Sequence, residues 1–310
     1  MQTLIFHMHG LGDMIMFLPT FNALPNKKKS IDIIVFENSS VLPLITSKKI
    51  RKIYYCNSSY LNLFKNILIL FFKNFERVYF SHNFSPLKSI LISLFLKSKK
   101  IYIITEKKIF FKSKKIEIIK IKKKLHKVYR NLSLIDKNIK KIKFDNSLHY
   151  KKIKNIKNWK KDTINIGIHP GSNIKNGDKR WEIKKYIELI NLLKKSKIQI
   201  HIFIGEYENE LFNYFNTKLN GVNIVYKKSF NYITNLISRL NLFISNETGL
   251  AHLSSSLGIK TLVIIHKKNE RRKTEISLPF RNSIFIDSTE DKKDLNKIFK
   301  LLKKNYTFFK

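Results

Sequence analysis

The sequence has little cysteine and no long apolar run. Cys56 is the only cysteine among 310 residues, which excludes an internal disulfide or thiolate metal site and fits a reducing cytoplasm. The most apolar stretches, LNLFKNILILFF and ILISLFL, contain or precede Lys65 and Lys97. Because both are shorter than the roughly 20 apolar residues of a membrane span, we expect core elements or helices that rest on a membrane surface. No basic stretch precedes the first apolar run, so we expect no signal peptide.

Acidic residues are also scarce. Lys and Arg number 61 against 22 acidic residues, which gives a net charge of +39 at pH 7. About half of this charge lies in residues 97–161, where 24 basic residues accompany only four acidic ones. Such a balance attracts nucleic acid, anionic lipid or nucleotides. The chain also favours Lys, Ile and Asn throughout, so part of the lysine excess is explained by solvated surface alone.

Short apolar runs alternate with amphipathic segments in two series. The first series predicts strands at TLIFHMH, IDIIVF, RVYFSH and KIYIIT, and the second at INIGIHPG, IQIHIFIG, VNIVY, LNLFISN, KTLVIIH and NSIFID. Helices are predicted at MIMFLPTFNAL, WEIKKYIELINLLKK and DLNKIFKLLKKNY. This alternation indicates parallel strands with crossover helices. We therefore predict an α/β fold with two Rossmann-like domains, residues 1–155 and 156–310, that face each other across a cleft and join at HYKKIKNIKNWKKD.

The loop HGLGD after the first strand is the first candidate site, because open parallel sheets bind ligands at the carboxyl ends of their strands. A dinucleotide fingerprint requires a glycine where Ile15 stands, and no P-loop pattern is present. Two roles stay open for Asp13. It caps the next helix, or it acts as a general base beside a backbone that Gly10 and Gly12 open to a substrate.

Two later loops contain residues suited to a nucleotide. Ser172 and Lys179 flank the run after HPG, where amides and a cation can hold phosphate, although an ordinary surface lysine also explains Lys179. Glu206 or Glu208, after IQIHIFIG, can accept the hydroxyls of a ribose. An acidic first helical turn is the alternative for these two residues.

A further loop, SNETGLAH, follows the strand LNLFIS. Thr248 and the amides around Gly249 are expected at a helix N-terminus, which suits an anionic leaving group. His252 follows within the first helical turn. A lone histidine is usually structural, but a position beside an anion site favours a binding role.

The order of these motifs resembles that of the bacterial heptosyltransferase family, glycosyltransferase family 9. Members show G-D followed by Leu-Pro, H-P-G-[AS] followed by K-x-W, and [ND]-[DE]-[ST]-G-x-x-H. The matching residues here are 12–13 with 18–19, 169–172 with 179–181, and 246–252. The stretch LHKVYRNL, residues 125–132, also recurs in the family before the domain linker.

The resemblance implies GT-B architecture, a nucleotide-sugar bound mainly by the C-terminal domain, and inversion at the anomeric carbon without a metal. Asp13 would take the proton from the acceptor hydroxyl. Lys179 and the amides of Thr248 and Gly249 would stabilise the departing diphosphate. This agrees with the chemistry of the residues, since inverting transfer needs one base and a stabilised leaving group, and no D-x-D-like metal motif is found.

The same resemblance extends to the donor pocket. Glu206 or Glu208 would lie near the nucleoside, and His252 would line the pocket. Glu247 stands where many members have Asp, close to the donor sugar. Its side chain is longer by one C–C bond, about 1.5 Å, which leaves the identity of the donor open.

We therefore predict a glycosyltransferase without a cofactor that moves heptose from ADP-heptose to a lipopolysaccharide core or related cell-surface glycan. Its expected partners are the nucleotide-sugar, a phosphorylated glycolipid and an anionic membrane surface, and it is expected in the cytoplasm, peripheral on the inner face of the membrane. The alternatives are another nucleotide-sugar donor, a catalytically silent scaffold, and a nucleic-acid-binding protein. The last is favoured by the basic segment with its interleaved Tyr and Phe and disfavoured by the absence of a nucleic-acid-binding motif.

Overall fold

The chain forms two compact units. One comprises residues 1–149 with 275–277, and the other comprises residues 150–274 with 278–310. The computed structural model describes residues 2–7, 9–25, 27–36, 41–56, 60–82, 84–139, 142, 144–171, 180–194, 197–266, 275–288 and 293–305.

The first unit is a parallel six-stranded sheet with helices between its strands. Its strands are β1 (Thr3–His7), β2 (Ile31–Val35), β3 (Ile50–Tyr55), β4 (Asn74–Phe80), β5 (Lys97–Thr105) and β6 (Ile116–Lys120). Its helices are α1 (Leu11–Ala23), α2 (Tyr60–Phe71), α3 (Pro86–Leu94) and α4 (Lys127–Leu132). The strand order is β3-β2-β1-β4-β5-β6. The central strands read as continuous apolar runs because helices cover both faces of such a sheet.

The second unit repeats this arrangement. Its strands are β7 (Ile164–His169), β8 (Ile198–Ile204), β9 (Asn223–Tyr226), β10 (Leu242–Asn246), β11 (Thr261–His266) and β12 (Ser283–Ser288). Its helices are α5 (Ile183–Leu193), α6 (Asn209–Lys218), α7 (Phe230–Ile237), α8 (Gly249–Ser256) and α9 (Lys293–Asn305). The order β12-β11-β10-β7-β8-β9 matches that of the first sheet, read from the opposite edge. The predicted α/β fold of two Rossmann-like units is confirmed.

Strand order reverses at one place in each sheet. β1 pairs with both β2 and β4, and β7 pairs with both β8 and β10. Such a switch point opens a crevice at the carboxyl ends of the two central strands, where open α/β sheets bind ligands. Ligand-binding residues are therefore expected in the loops after β1, β4, β7 and β10.

The sequence prediction was incomplete at the edges of the first sheet. It missed β3 and β6, which are edge strands, partly exposed and interrupted by charged residues. The segment proposed as a linker, residues 149–162, contains no helix or strand. It is attached to α7, since the Lys151 N–H donates to Asn231 Oδ1 at 2.9 Å and the Ile153 N–H to Asn235 Oδ1 at 2.8 Å.

Candidate active site

The loop after β1 leads directly into α1. Gly10 is the N-cap residue, with extended backbone at φ −73°, and the helix begins at Leu11. Asp13 is therefore the third helical residue, and its interpretation as the N-cap is wrong because the helix begins two residues earlier. Gly10 and Gly12 are half-buried beside it.

The Asp13 carboxylate forms an ion pair with Lys127 from α4. The Lys127 Nζ donates to Asp13 Oδ1 at 3.0 Å, and each side chain is 21% exposed. α4 packs against α1. His126 caps α4 by accepting a backbone N–H, and Arg130 anchors the helix through an ion pair with Glu106. These contacts hold Lys127 beside Asp13, although the two residues are 114 positions apart in the sequence.

The environment keeps Asp13 ionised. Burial on its own would raise the pKa of the carboxyl, but Lys127, with smaller contributions from His82 and His9, lowers it to about 2. Burial lowers the pKa of both His7 and His82 to about 3, so these rings are neutral near pH 7. A carboxylate with so low a pKa is a weak base while Lys127 binds it. It would be a stronger base if Lys127 paired with another anion instead.

Replacing Lys127 by Met is expected to lower the melting temperature at pH 7, because it leaves a half-buried carboxylate without its cation. The folded-state pKa of Asp13, about 2, lies below the ordinary value of 3.8. Ionised Asp13 therefore stabilises the wild type above about pH 4, and this contribution is lost as the pH falls towards 2. Thermal unfolding should be measured from about pH 3 to 7. The difference in melting temperature between wild type and Lys127→Met should become smaller at the lowest pH values.

Lys137→Met is the matched control. Lys137 pairs with Glu117 at 2.9 Å, but their side chains are 70% and 38% exposed, so this pair contributes little. A melting difference for Lys127→Met that does not change with pH would show that lost packing, rather than the ion pair, causes it.

In the second unit, the buried amide of Asn246 connects the ends of two strands with the start of a helix. Its Nδ2 donates to the carbonyls of Pro170, at 2.8 Å, and Gly171, at 3.2 Å. Its Oδ1 accepts from the Trp181 N–H at 3.0 Å and the Tyr186 hydroxyl at 2.9 Å. Asn246 thus fixes both flanks of residues 172–179.

The predicted phosphate residues Ser172 and Lys179 lie outside the described residues. Next to them, Arg180 Nη2 donates to Glu208 Oε1 at 2.8 Å, and the Gly205 N–H donates to Glu208 Oε2 at 2.9 Å. Both oxygens of this buried carboxylate are thus engaged in holding the loops together. Glu206, by contrast, is exposed and is the more accessible of the two carboxylates considered for the ribose.

The loop after β10 forms a helix N-terminus, as predicted. Thr248 is the N-cap of α8 but makes no side-chain capping bond, and its Oγ1 lies 3.1 Å from the Ser245 Oγ. The first N–H groups of a helix, here beginning at Gly249, have no acceptor within the helix and suit an anion. Glu247 is half-buried beside them, and His252 is buried at the fourth helical position.

Sequence reasoning assigned no role to five residues at these sites: Lys127, His82, Asn131, Arg180 and Asn246. Three of them, Lys127, Asn131 and Asn246, stand within the family motifs at 125–132 and 246–252. Of the five, His82 follows almost directly after a strand and Asn246 ends one, so position along the chain was an available signal for both. Within the part of the chain that the structure describes, no group of three or more His, Cys, Asp or Glu residues is arranged to hold a metal ion.

Two Rossmann-like units, each built on a parallel six-stranded sheet with one switch point, correspond to a GT-B type architecture, and solved structures share this fold. E. coli heptosyltransferase WaaC with ADP is 17% identical, with a TM-score of 0.73 over 98% of this chain and 100% of that chain. WaaC with ADP-2-deoxy-2-fluoro heptose is 18% identical, with a TM-score of 0.74 over the same shares. E. coli ADP-heptose lps heptosyltransferase II is 18% identical, with a TM-score of 0.70 over 100% and 98%. At these identities the likeness concerns the fold.

The chain belongs to glycosyltransferase family 9 (heptosyltransferase), whose sequence profile matches residues 70–299. It is accordingly a glycosyltransferase, and this part of the prediction is confirmed. No curated protein matches the chain in sequence. Among the described helices, none has the length and apolar character to span a membrane.

Proposed function

We propose that the protein transfers heptose from ADP-heptose to a phosphorylated glycolipid of the lipopolysaccharide core type, with inversion and without a metal. The observation that carries this proposal is the partly exposed Asp13 carboxylate at the first switch point, paired with Lys127 at 3.0 Å. It would act as the base once Lys127 pairs with a phosphate of the acceptor. The helix N-terminus beside Asn246 at the second switch point suits a diphosphate. Structures similar in fold contain ADP or an ADP-heptose analogue, which supports the choice of donor.

The reaction would proceed as a single displacement. The acceptor oxygen attacks the anomeric carbon on the face opposite the diphosphate, and its proton passes to the Asp13 carboxylate. The C–O bond to the diphosphate breaks, and its electron pair stays on the phosphate oxygen. The amides at the start of α8, with Lys179, would stabilise that charge.

The two units would divide the substrates between them. Residues 1–155 would bind the acceptor, with Gly10 and Gly12 beside the reacting hydroxyl, and residues 156–310 would bind the donor. Donor-side roles are proposed for Ser172, Glu206, Glu208, Glu247 and His252. Because Glu208 already binds Arg180 and Gly205, its role would be to hold the pocket in shape.

A thermal-shift screen of ADP-, GDP-, UDP- and dTDP-sugars tests the donor. A ligand that binds only the folded protein stabilises it, by about 2.7 kcal/mol at 100 times its Kd. Because the donor should bind most tightly, ADP-heptose is expected to raise the melting temperature most. If only another nucleotide-sugar raised the melting temperature, that compound would be the donor instead of ADP-heptose. If none raised it, the result would count against the proposed function.

The membrane association that we propose rests on an exposed surface of the first unit, the apolar–basic face. On α2 and at its end, Leu61, Phe64, Leu68 and Phe72 are exposed, Leu61 at 80% and Phe72 at 78%. On α3, the exposed large side chains follow the same helical spacing: Leu87, Leu91 and Leu94. Monomeric soluble proteins rarely expose so many large apolar side chains together, and such patches mark interaction sites.

This face is basic. α2 and α3 pack on one hydrophobic cluster through Leu70 and Ile90. Lys97 Nζ lies 5.2 Å above the Phe71 ring, and Lys115 Nζ donates to the Ser93 carbonyl at 3.1 Å, which joins Lys97 to α2 and Lys115 to α3. The segments 60–72, 86–100 and 107–115 contain no acidic residue. Their exposed lysines are Lys65, Lys88, Lys97, Lys99, Lys100, Lys107, Lys108, Lys112 and Lys114. Exposed apolar side chains surrounded by lysines are suited to bind an anionic bilayer. Each lysine near the bilayer surface contributes about 1 kcal/mol to the binding free energy.

Phe72→Ser is expected to weaken binding to vesicles with anionic lipid about tenfold, because burial of one large apolar side chain contributes roughly 1.5 kcal/mol or more. Co-sedimentation at fixed ionic strength measures this. Leu192→Ser is the matched control, since Leu192 is 49% exposed in the second unit. Equal binding by wild type and Phe72→Ser, or equal binding to neutral vesicles, would remove the face as a membrane contact.

A further inference from the structure

His82 lies at the first switch point, just after the strand beside the one that leads to Asp13. It follows β4 after a single residue, Ser81, and β4 pairs with β1. The Ser81 N–H donates to the Phe6 carbonyl at 3.0 Å, so the ends of β4 and β1 lie side by side. The same helix, α4, contacts both residues, since Asn131 binds His82 and Lys127 binds Asp13. The switch point therefore places an imidazole beside the proposed base.

Asn131 fixes which ring nitrogen of His82 carries the proton. Asn131 Oδ1 accepts the backbone N–H of His82 at 3.1 Å, which identifies it as the amide oxygen, and it lies 3.2 Å from Nδ1. An amide oxygen cannot donate, so Nδ1 carries the proton. The neutral ring therefore presents a lone pair at Nε2.

Three polar atoms of this group have no hydrogen-bond partner among the described residues: His82 Nε2, Asn131 Nδ2 and Ser81 Oγ. Ser81 and Asn131 are buried, and His82 is half-buried. Shielded polar atoms without partners are costly, and each one in a native protein calls for an explanation such as a bound group. The lone pair at Nε2 is an acceptor that a hydroxyl satisfies by donating its proton to it.

We propose that His82, held by Asn131, binds a second hydroxyl of the acceptor sugar and so determines which hydroxyl faces Asp13. This inference rests on the proposed function. The chemistry of His82 and of Lys127 suits them to different groups of the acceptor. A lone pair on a neutral ring accepts from a hydroxyl and repels a phosphate oxygen, whereas the Lys127 ammonium suits the phosphate. His82 is a positioning residue here, and the proton still passes to Asp13.

Two substitutions separate this role from a structural one. His82→Asn keeps an N–H donor for Asn131 but removes Nε2. His82→Gln keeps an acceptor near the position of Nε2, loses the ring N–H that binds Asn131, and cannot take up a proton. His82→Asn is expected to lower kcat/KM for the acceptor by roughly 10- to 100-fold, as the loss of one buried hydrogen bond implies, with donor KM and melting temperature unchanged. His82→Gln should be impaired less than His82→Asn, because it keeps the acceptor and loses only the bond that orients the ring. An unimpaired His82→Asn, or a His82→Gln as impaired as His82→Asn, overturns the proposal.

Calorimetry without a donor keeps this test independent of the proposed function. The probe is a deacylated, phosphorylated core oligosaccharide. The wild type and His82→Gln should bind it, and His82→Asn should bind it at least about tenfold more weakly. If no nucleotide-sugar supports transfer but this pattern appears, the proposed function fails and the hydroxyl site stands. If transfer occurs but the three proteins bind alike, the hydroxyl site fails alone.

Discussion

Replacing Asp13 by Asn is expected to reduce sugar transfer by roughly 1,000-fold, the middle of the range for general acid–base catalysis, while donor affinity stays unchanged. The amide has the shape of the carboxylate but cannot accept the hydroxyl proton. Donor affinity should survive because the proposed nucleotide residues belong to the second unit. Steady-state transfer kinetics and titration with ADP measure the two quantities separately.

The variant leaves Lys127 without its carboxylate, so folding must be checked alongside activity. Asp136→Asn serves as the control, because Asp136 is an exposed residue of the same unit and should behave as wild type. Normal turnover by Asp13→Asn would remove Asp13 as the base. Loss of ADP binding by this variant would contradict the division of roles between the units.

Asn246→Asp is expected to lower the free energy of unfolding by roughly 3 kcal/mol or more, the scale of an uncompensated buried charge. The substitution places an oxygen where Nδ2 now donates to the carbonyls of Pro170 and Gly171, at 2.8 and 3.2 Å. Acceptors would then face acceptors inside a buried network. Because the same amide fixes the Trp181 N–H, ADP binding should be lost as well.

Urea unfolding and ADP titration measure these two effects of Asn246→Asp. Asn220→Asp is the matched control, since Asn220 is exposed in the same unit and the same change of atoms should have little effect there. Unchanged stability of Asn246→Asp would show that the network of Asn246 does not organise this site.

The sequence predicted the second sheet better than the first for a physical reason. All six strands of the second sheet were predicted. Its inner strands are near-continuous apolar runs, as buried parallel strands are, and its edge strands β9 (NIVY) and β12 (SIFIDS) contain at most one charged residue. In the first sheet, β3 (IRKIYY) and β6 (IEIIK) lie at the edges. Their charged residues obscure the apolar pattern, since an edge strand need not be buried on all sides.

The candidate site was predictable only where function follows from position along the chain. Asp13, Thr248 and Gly249 follow strands, and the strand pattern predicted their loops. The pairing of Asp13 with Lys127 depends on α4 packing against α1, which no local pattern contains. The cap interpretation of Asp13 failed because apolar periodicity does not locate the first residue of a helix.

Transfer by the wild-type protein from ADP-heptose to a phosphorylated core glycolipid, in the presence of EDTA, tests the central claim most directly. NMR of the product gives the configuration at the anomeric carbon. The account predicts a glycosidic bond with configuration opposite to that of the donor, formed at a rate that EDTA does not change. Retention of configuration, dependence on a divalent metal, or no movement of heptose would contradict it.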